Sequence, residues 1–100
     1  MVFIYSTCKD KEQAETLAKA LVQGKLAACV DMWPTEAIYW WEGQLVRSKE
    51  VMLLVKTLEQ KTADVEEFIK NNHTYKIPIV ASFDVRRLNR DYKEWIPTVL

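Results

Sequence analysis

The feature that most constrains this chain is a pair of adjacent tryptophans, Trp40 and Trp41, in a segment of strand character that runs into Glu42 and Gly43. Two of the protein's four tryptophans stand here. Successive residues of a β-strand point to opposite faces of the sheet, so the two rings cannot share one hydrophobic core. A domain of 100 residues has little apolar surface to leave in solvent. We therefore expect one of the two rings to contact another subunit.

The composition predicts a single domain over residues 1–100 and argues against two classes of partner. The 14 basic residues balance the 14 acidic ones, so charge draws the protein neither to nucleic acid nor to an anionic membrane. No apolar run has the length of a membrane span, and the chain enters a strand directly at residue 2. Two cysteines are too few for a disulfide framework and suit a reducing compartment. We expect a cytoplasmic location.

Capping patterns predict where the two main helices begin. Asp10, with a glutamine three residues later, predicts a helix over residues 11–23, and its apolar residues recur at the spacing of one helical face. Gly24 is a natural stop for that helix. Thr57 with Gln60 predicts the start of a second helix, which ends near residues 71 and 72.

Four segments have the β-branched and aromatic character of strands, and a short terminal helix is expected near residues 91–95. Pro34 should interrupt the second strand or mark an edge, because proline has no N–H to give to a ladder. The second and third strands should form a long hairpin around Glu42 and Gly43. The predicted strands are 2–7, 28–33 resuming over 38–41, 45–55, and a last one that opens at Pro78.

The last strand shows an alternating pattern typical of a sheet with one dry face. Its apolar positions should point inward and its polar positions outward. The inward set is Ile79, Ala81, Phe83 and Val85, and the outward set is Ser82, Asp84 and Arg86.

The resulting order β-α-β-β-α-β is that of the ferredoxin-like α+β fold, in which two helices cover one face of an antiparallel four-stranded sheet. The opposite face then lacks a cover. Because aromatic and methionine side chains line a hairpin longer than the sheet requires, we expect this face and the hairpin ends to pack on copies of the same chain.

Four motifs stand in order along nearly the whole chain. They are Leu26-Ala27-Ala28-Cys29-Val30, Tyr39-Trp40-Trp41-Glu42-Gly43, Lys56-Thr57, and the segment from His73 through Tyr75 to Pro78, followed by a closing segment Asp91–Trp95. Together they resemble the CutA1 divalent-cation tolerance proteins. The resemblance implies a PII-like homotrimer with hairpin strands pairing between subunits, and an association with copper and other divalent cations.

The metal donors that the resemblance implies are incompletely matched. His73, the only histidine, stands at the motif's histidine, but Thr74 replaces the proline that follows it. Ile79 occupies the position of a glutamate found in bacterial members, and Ser6 that of a cysteine found in some. Cys8 would share the strand face of Ser6 and is a substitute donor only after local rearrangement.

His73 has two interpretations. It can cap the preceding helix or bridge a loop, or it can bind a divalent ion such as Cu(II). The ligand role gains if a neighbouring subunit supplies an acid such as Glu42 or Asp84. Cys29 is predicted to be a small core residue rather than a metal or redox group.

Two further groups of residues are candidates for contacts. The aromatic group is interpreted as core and trimer interface rather than as a platform on which a ligand stacks. The basic group is a solvated face or, alternatively, an anion site at a subunit junction. The aromatic residues are Tyr39, Trp40 and Trp41, and the basic residues are Arg86, Arg87 and Arg90.

Catalysis is not expected. The same fold carries acylphosphatases, which cradle phosphate in the loop after the first strand. Here that loop, residues 7–11, has neither glycine nor arginine, and Asp10 would repel an anion. We therefore predict a non-enzymatic homotrimer in divalent-cation tolerance that binds Cu(II) weakly. The alternative is a PII-like sensor or scaffold that binds a small anion or a partner protein at subunit clefts, and its binding would survive loss of His73.

Overall fold

The computed structural model describes residues 1–100 and has the predicted element order. The strands are β1 (Val2–Cys8), β2 (Cys29–Trp41), β3 (Gln44–Thr57) and β4 (Ala81–Asp84). The helices are α1 (Lys11–Gln23), α2 (Thr62–Asn72) and α3 (Arg90–Trp95), with 3₁₀ turns at Glu59–Lys61 and Ile96–Thr98.

The four strands form one antiparallel sheet in the order β2-β3-β1-β4. This topology confirms the ferredoxin-like prediction. None of the helices combines the length and apolar character that crossing a bilayer requires.

Helix α1 begins and ends where local signals predict. The Asp10 carboxylate accepts a hydrogen bond from the backbone N–H of Gln13 at 2.9 Å. Gly24 caps the other end, where an added Cβ would lie 2.9 Å from the carbonyl oxygen of Ala20. The residue that reverses the chain in the left-handed region is the next one, Lys25, with φ of 62°.

The core lies between the two long helices and one face of the sheet. In β1 every second side chain is buried, from Val2 to Cys8. The helices contribute apolar residues at helical spacing, including Leu17 and Leu21 from α1 and Ile69 from α2. The core side of β1 includes the hydroxyl of Ser6, which is fully buried.

Strand β2 runs through Pro34 without the predicted interruption. Pro34 pairs with Val51 in an unbroken register from Cys29 to Trp41. The strand lies at the edge of the sheet, where the missing N–H of proline is tolerated, so the edge interpretation is confirmed and the break is wrong. The hairpin reverses at Glu42 and Gly43, both at positive φ, 49° and 77°.

Two helix and core predictions need correction around Thr57. Helix α2 begins at Thr62, after a 3₁₀ turn, and not at a capping box built on Thr57 and Gln60. Thr57 is instead the last residue of β3, and its hydroxyl donates to the Leu26 carbonyl at 2.6 Å.

Cys29 is not a core residue, because it is only half-buried and points to the sheet face opposite the helices.

The last strand is shorter than predicted and its facing is reversed. It begins at Ala81 rather than at Pro78. Ser82 points toward the helices and donates to a Glu66 carboxylate oxygen. Phe83 lies on the opposite face, 49% exposed, where its ring meets the Phe3 ring edge-on at 5.9 Å. The alternation of polar and apolar residues did not indicate the correct face, because the sheet face opposite α1 and α2 is itself apolar.

Candidate functional site

An open groove lies on the sheet face opposite the helices, beside the long hairpin. Its volume is about 580 Å³. Strand β1 contributes Thr7, the hairpin contributes Tyr39, Trp41 and Glu50, and the segment 74–79 between α2 and β4 forms the remaining wall. Tyr39, Trp41 and Glu50 share this face because they stand at the same parity in the β2–β3 register. We call this feature the Glu50 groove.

His73 ties the wall segment to the sheet. It caps α2, and its Nδ1 accepts the Tyr75 amide N–H at 2.9 Å. Because Nδ1 accepts, the proton of the neutral ring is on Nε2, which donates to the Thr7 carbonyl at 2.6 Å. Both ring nitrogens are therefore hydrogen-bonded to main-chain groups, one in β1 and one in the wall segment of the groove.

Tyr75 continues this connection into the groove. Its phenol donates to Oε2 of Glu50 at 2.5 Å, and its ring lies 4.8 Å from the His73 ring. Burial, followed by the bond to the Glu50 carboxylate, raises the pKa of Tyr75. The phenol thus stays protonated and keeps donating throughout the neutral range. Glu50 is only 8% exposed, which is rare for a carboxylate.

Ser6 holds the end of the same segment. Its hydroxyl donates to the Ile79 carbonyl at 2.7 Å. Two of the three positions that the family resemblance assigns to metal donors are therefore joined by a hydrogen bond in this chain, from the Ser6 side chain to the Ile79 main chain. Three attachments, from Thr7, Glu50 and Ser6, hold the segment 73–79 against the sheet.

The residues present do not fit a conventional divalent metal centre. No group of three or more histidine, cysteine, aspartate or glutamate side chains converges on one point. The lone pair of His73 that a metal needs is occupied by the Tyr75 amide. Cys8 is fully buried on the helix side of β1. Burial, with smaller contributions from Asp10 and Glu50, raises the pKa of the Cys8 thiol to about 11.

Cys8 should therefore resist thiol reagents in the native protein. At pH 8 a thiol with a pKa of about 11 is almost wholly protonated, and the thiolate is the reactive form. We expect modification in the folded state to be about 100-fold slower or more than in urea. Peptide mapping by mass spectrometry after timed alkylation measures this ratio. Equal rates with and without urea would contradict the buried placement.

A second polar cluster lies on the same face at the other end of the β2–β3 ladder. The Lys56 ammonium is 2.8 Å from an Asp31 carboxylate oxygen and 5.9 Å from the centre of the Tyr92 ring. The hydrogen bond to Asp31 raises the pKa of Lys56, and the Cys29 thiol donates to the same carboxylate at 3.7 Å. This cluster links α3 to the sheet.

The other predicted site residues are spread over two surfaces. Trp40 is 72% exposed, on the hairpin face opposite Trp41, which is 40% exposed, like Tyr39. The three arginines do not line the Glu50 groove. Arg86 and Arg87 are exposed after β4, and Arg90 opens α3 with its guanidinium 3.1 Å from Glu94.

Glu50 is the functional candidate that sequence reasoning missed. It precedes the apolar run Val51–Val55 without a break in the strand. The only sign of its role in the sequence was an acidic residue at a strand position that points to the uncovered face. Its partner Tyr75 is 25 residues away in the sequence.

Comparison with known proteins agrees with this architecture. The model of the CutA1 divalent ion tolerance protein family matches residues 2–99. The divalent-cation tolerance protein CutA of Thermococcus kodakarensis is 38% identical over 99 residues, which covers 99% of this chain and 95% of that protein. The crystal structure of CutA1 from Pyrococcus horikoshii has 36% identity and a TM-score of 0.94, covering 98% of this chain and 96% of that one.

A second solved structure gives the same result. The structure of CutA from Archaeoglobus fulgidus, described as a periplasmic divalent cation tolerance protein, has 36% identity and a TM-score of 0.94. The match covers 99% of this chain and 98% of that one. With a family match over nearly every residue and the same fold in both structures, this chain belongs to the CutA1 divalent ion tolerance protein family.

Proposed function

We propose that this protein acts in divalent-cation tolerance as a homotrimer, by binding rather than by catalysis. The descriptions of its relatives support the process. The observation that carries the assembly is the uncovered sheet face: Trp33, Tyr39 and Trp41 are each at least 40% exposed on it. A second copy of the chain would remove these rings from water.

We propose that Cu(II) binding, where it occurs, is weak and centred on His73. The ion has to displace the Tyr75 amide from Nδ1 or the Thr7 carbonyl from Nε2. Neither exchange is compensated by a convergent second donor, and Cys8 can join only if the end of β1 opens. The same argument applies to Zn(II), which also prefers imidazole and thiolate ligands.

Copper binding at His73 can be tested without a mutation, because His73 carries the only imidazole in the protein. The ¹⁵N shifts of the ring should report a neutral Nε2–H tautomer. Substoichiometric Cu(II) should broaden the His73 ring signals before any other side chain, and Zn(II) should shift them only at high concentration. Broadening that starts at surface carboxylates and spares the ring would contradict copper binding at His73.

A PII-like sensor or scaffold is the second candidate, and the Glu50 groove favours it. A concave surface of about 580 Å³ with several aromatic and aliphatic walls is typical of small-molecule sites. An anion would instead use the exposed Arg86 and Arg87, since Arg90 already pairs with Glu94. Ligand binding that persists in His73→Ala supports this candidate over the metal-binding one.

We also propose a cytoplasmic location. Both cysteines are free thiols, and Cys8 and Cys29 suit a reducing compartment. Fractionation with a periplasmic or organellar marker as reference tests this point.

A further inference from the structure

We propose that a groove between α1 and α2 binds a neutral secondary amide with an apolar substituent, whose carbonyl oxygen accepts a hydrogen bond from the Gln13 side chain. This groove is lined by residues of the two helices and of the turns beside them. It therefore lies away from the sheet face that the proposed homotrimer covers. The inference goes beyond divalent-cation tolerance and depends neither on a metal ion nor on subunit contacts.

The side-chain amide of Gln13 is buried and only partly hydrogen-bonded. Gln13 is 8% exposed, and its Oε1 accepts the Lys9 backbone N–H at 3.1 Å. This bond identifies the oxygen end of the amide. The other end, Nε2, has no hydrogen-bond partner in the protein. A buried donor without an acceptor destabilises the free protein, so an acceptor oxygen that reaches Nε2 recovers the lost stability.

A ligand can reach this donor through the groove, which Gln13 itself lines. Lys9 and Glu12 border the groove on either side of Gln13 in the sequence. Both side chains are exposed, and neither belongs to any of the four ion pairs. They are free to move aside and admit a ligand oxygen to Nε2, which they help to cover in the free protein.

The charges of the groove favour a neutral ligand. Its acidic residues are Asp10 and Glu12, and its only basic residue is Lys9. An anion would meet the two carboxylates, while a cation would meet the Lys9 ammonium and the hydrogens of Nε2. No set of side chains converges there to hold a metal ion. An uncharged carbonyl group satisfies the donor without placing a charge beside either sign.

The opposite wall indicates that the carbonyl belongs to an amide. Asn72, at the end of α2, also lines the groove, and its Nδ2 donates to the Phe68 carbonyl at 2.8 Å. This bond leaves the Asn72 Oδ1 free to accept. A secondary amide carries both the acceptor for Gln13 and an N–H for Asn72.

The rest of the groove suits an apolar substituent of limited size. Leu17, Ala20 and Phe68 form its apolar part, and its volume is about 380 Å³, within the range of small-molecule sites, roughly 300 to 1,000 Å³. Helix α1 rises about 10 Å from Gln13 to Ala20, which about three extended residues span. An amide with a branched aliphatic side chain matches this length, so N-acetyl-L-leucine methylamide is the probe.

The first test is an NMR titration of the native protein, observed through the ¹⁵NH₂ signals of the Gln13 side chain. The neutral probe should shift them saturably, with a dissociation constant on the order of 1 mM for a ligand of this size. The anionic N-acetyl-L-leucine and the cationic L-leucine methylamide should each bind at least about threefold more weakly. Equal affinities for all three overturn the proposal. Signals that no probe moves also overturn it and leave Nε2 to a buried water.

The second test changes the donor and the apolar floor separately, with binding followed on the backbone amides of the groove. Gln13→Glu keeps an oxygen for the Lys9 N–H and replaces the donor by an acceptor of the same shape, so affinity should fall about tenfold or more. Gln23→Glu is the matched control, since Gln23 ends α1, is exposed and lies outside the groove. Ala20→Leu fills the floor without altering Gln13 and should also weaken binding about tenfold. Unchanged affinity in either groove variant overturns the assignment.

A third titration distinguishes the two sources of such an amide, a free small molecule and an extended segment of another protein. The probe is the acetylated tripeptide leucine-alanine-leucine as its methylamide. Affinity about tenfold or more above that of the single-residue probe assigns the groove to a peptide segment. Equal affinity assigns it to a small amide. Both results support the carbonyl site at Gln13, whereas loss of binding on lengthening the probe overturns the open shape of the groove.

Discussion

Leu53→Ala is expected to lower the free energy of unfolding by about 3 to 5 kcal/mol, which is the largest effect of any single truncation in β3. Leu53 is fully buried in the strand paired with both β1 and β2, and it packs in a cluster with Cys8, Ala14 and Leu17. The cavity lies between rigid elements that cannot collapse into it. Urea unfolding at fixed protein concentration measures the change.

Val22→Ala is the control for this substitution. Val22 is 42% exposed near the end of α1, so its truncation should change the free energy of unfolding by no more than about 0.5 kcal/mol. A loss below about 1 kcal/mol in Leu53→Ala would mean that the core between β3 and α1 is packed differently from the structure.

The fold could be predicted from sequence because its local signals agree with one another. Asp10 caps α1, apolar residues recur on one face of that helix, and Glu42 with Gly43 reverses the hairpin. Each signal acts over a few residues, and together they leave one arrangement of two helices on an antiparallel sheet. The element order and the ferredoxin-like fold class could therefore be predicted from the sequence.

Two of the errors arose where a side chain makes a hydrogen bond to a residue far away in the sequence. In the sequence Thr57 resembles a helix cap, but its hydroxyl donates to the Leu26 carbonyl, and β3 extends as far as Thr57. Ser82 resembles an outward residue, but Glu66 of α2 accepts its hydrogen bond on the helix side. Polar residues that are satisfied by long-range contacts carry no local signal of their facing.

The candidate site was predicted only in part for the same reason. The sequence leaves His73 as a helix cap, a loop bridge or a metal ligand, and its contacts with the Thr7 carbonyl and the Tyr75 amide form the bridge. The pairing of Glu50 with Tyr75 depends on how the segment after α2 crosses the sheet. Nothing in the neighbourhood of either residue in the sequence indicates that crossing.

The tryptophan doublet can be tested in the light of the observed register. Trp41 pairs with Gln44 and lies on the sheet face that carries the Glu50 groove, while Trp40 pairs with Leu45 and lies on the other face. This confirms that the two rings point in opposite directions. Neither ring is buried by its own chain, since Trp40 is 72% exposed and Trp41 is 40% exposed. Burial of either ring can stabilise the protein only if a neighbouring copy covers it.

Trp41→Ala is expected to weaken the proposed homotrimer and to cost about 3 to 5 kcal/mol if a neighbouring copy fully buries the ring. Because dissociation is linked to unfolding, the melting temperature of the variant should depend more steeply on protein concentration. Light scattering and thermal unfolding over a 100-fold dilution range, about 1 to 100 μM, measure both effects.

Trp40→Ala repeats the test for the other face of the hairpin. Trp95→Ala is the matched control: its 42% exposure is close to that of Trp41, but its ring lies 5.4 Å from the Tyr92 ring in α3, away from the hairpin end. Unchanged mass and melting in both hairpin variants would refute the interface, because rings left in water cannot contribute to association.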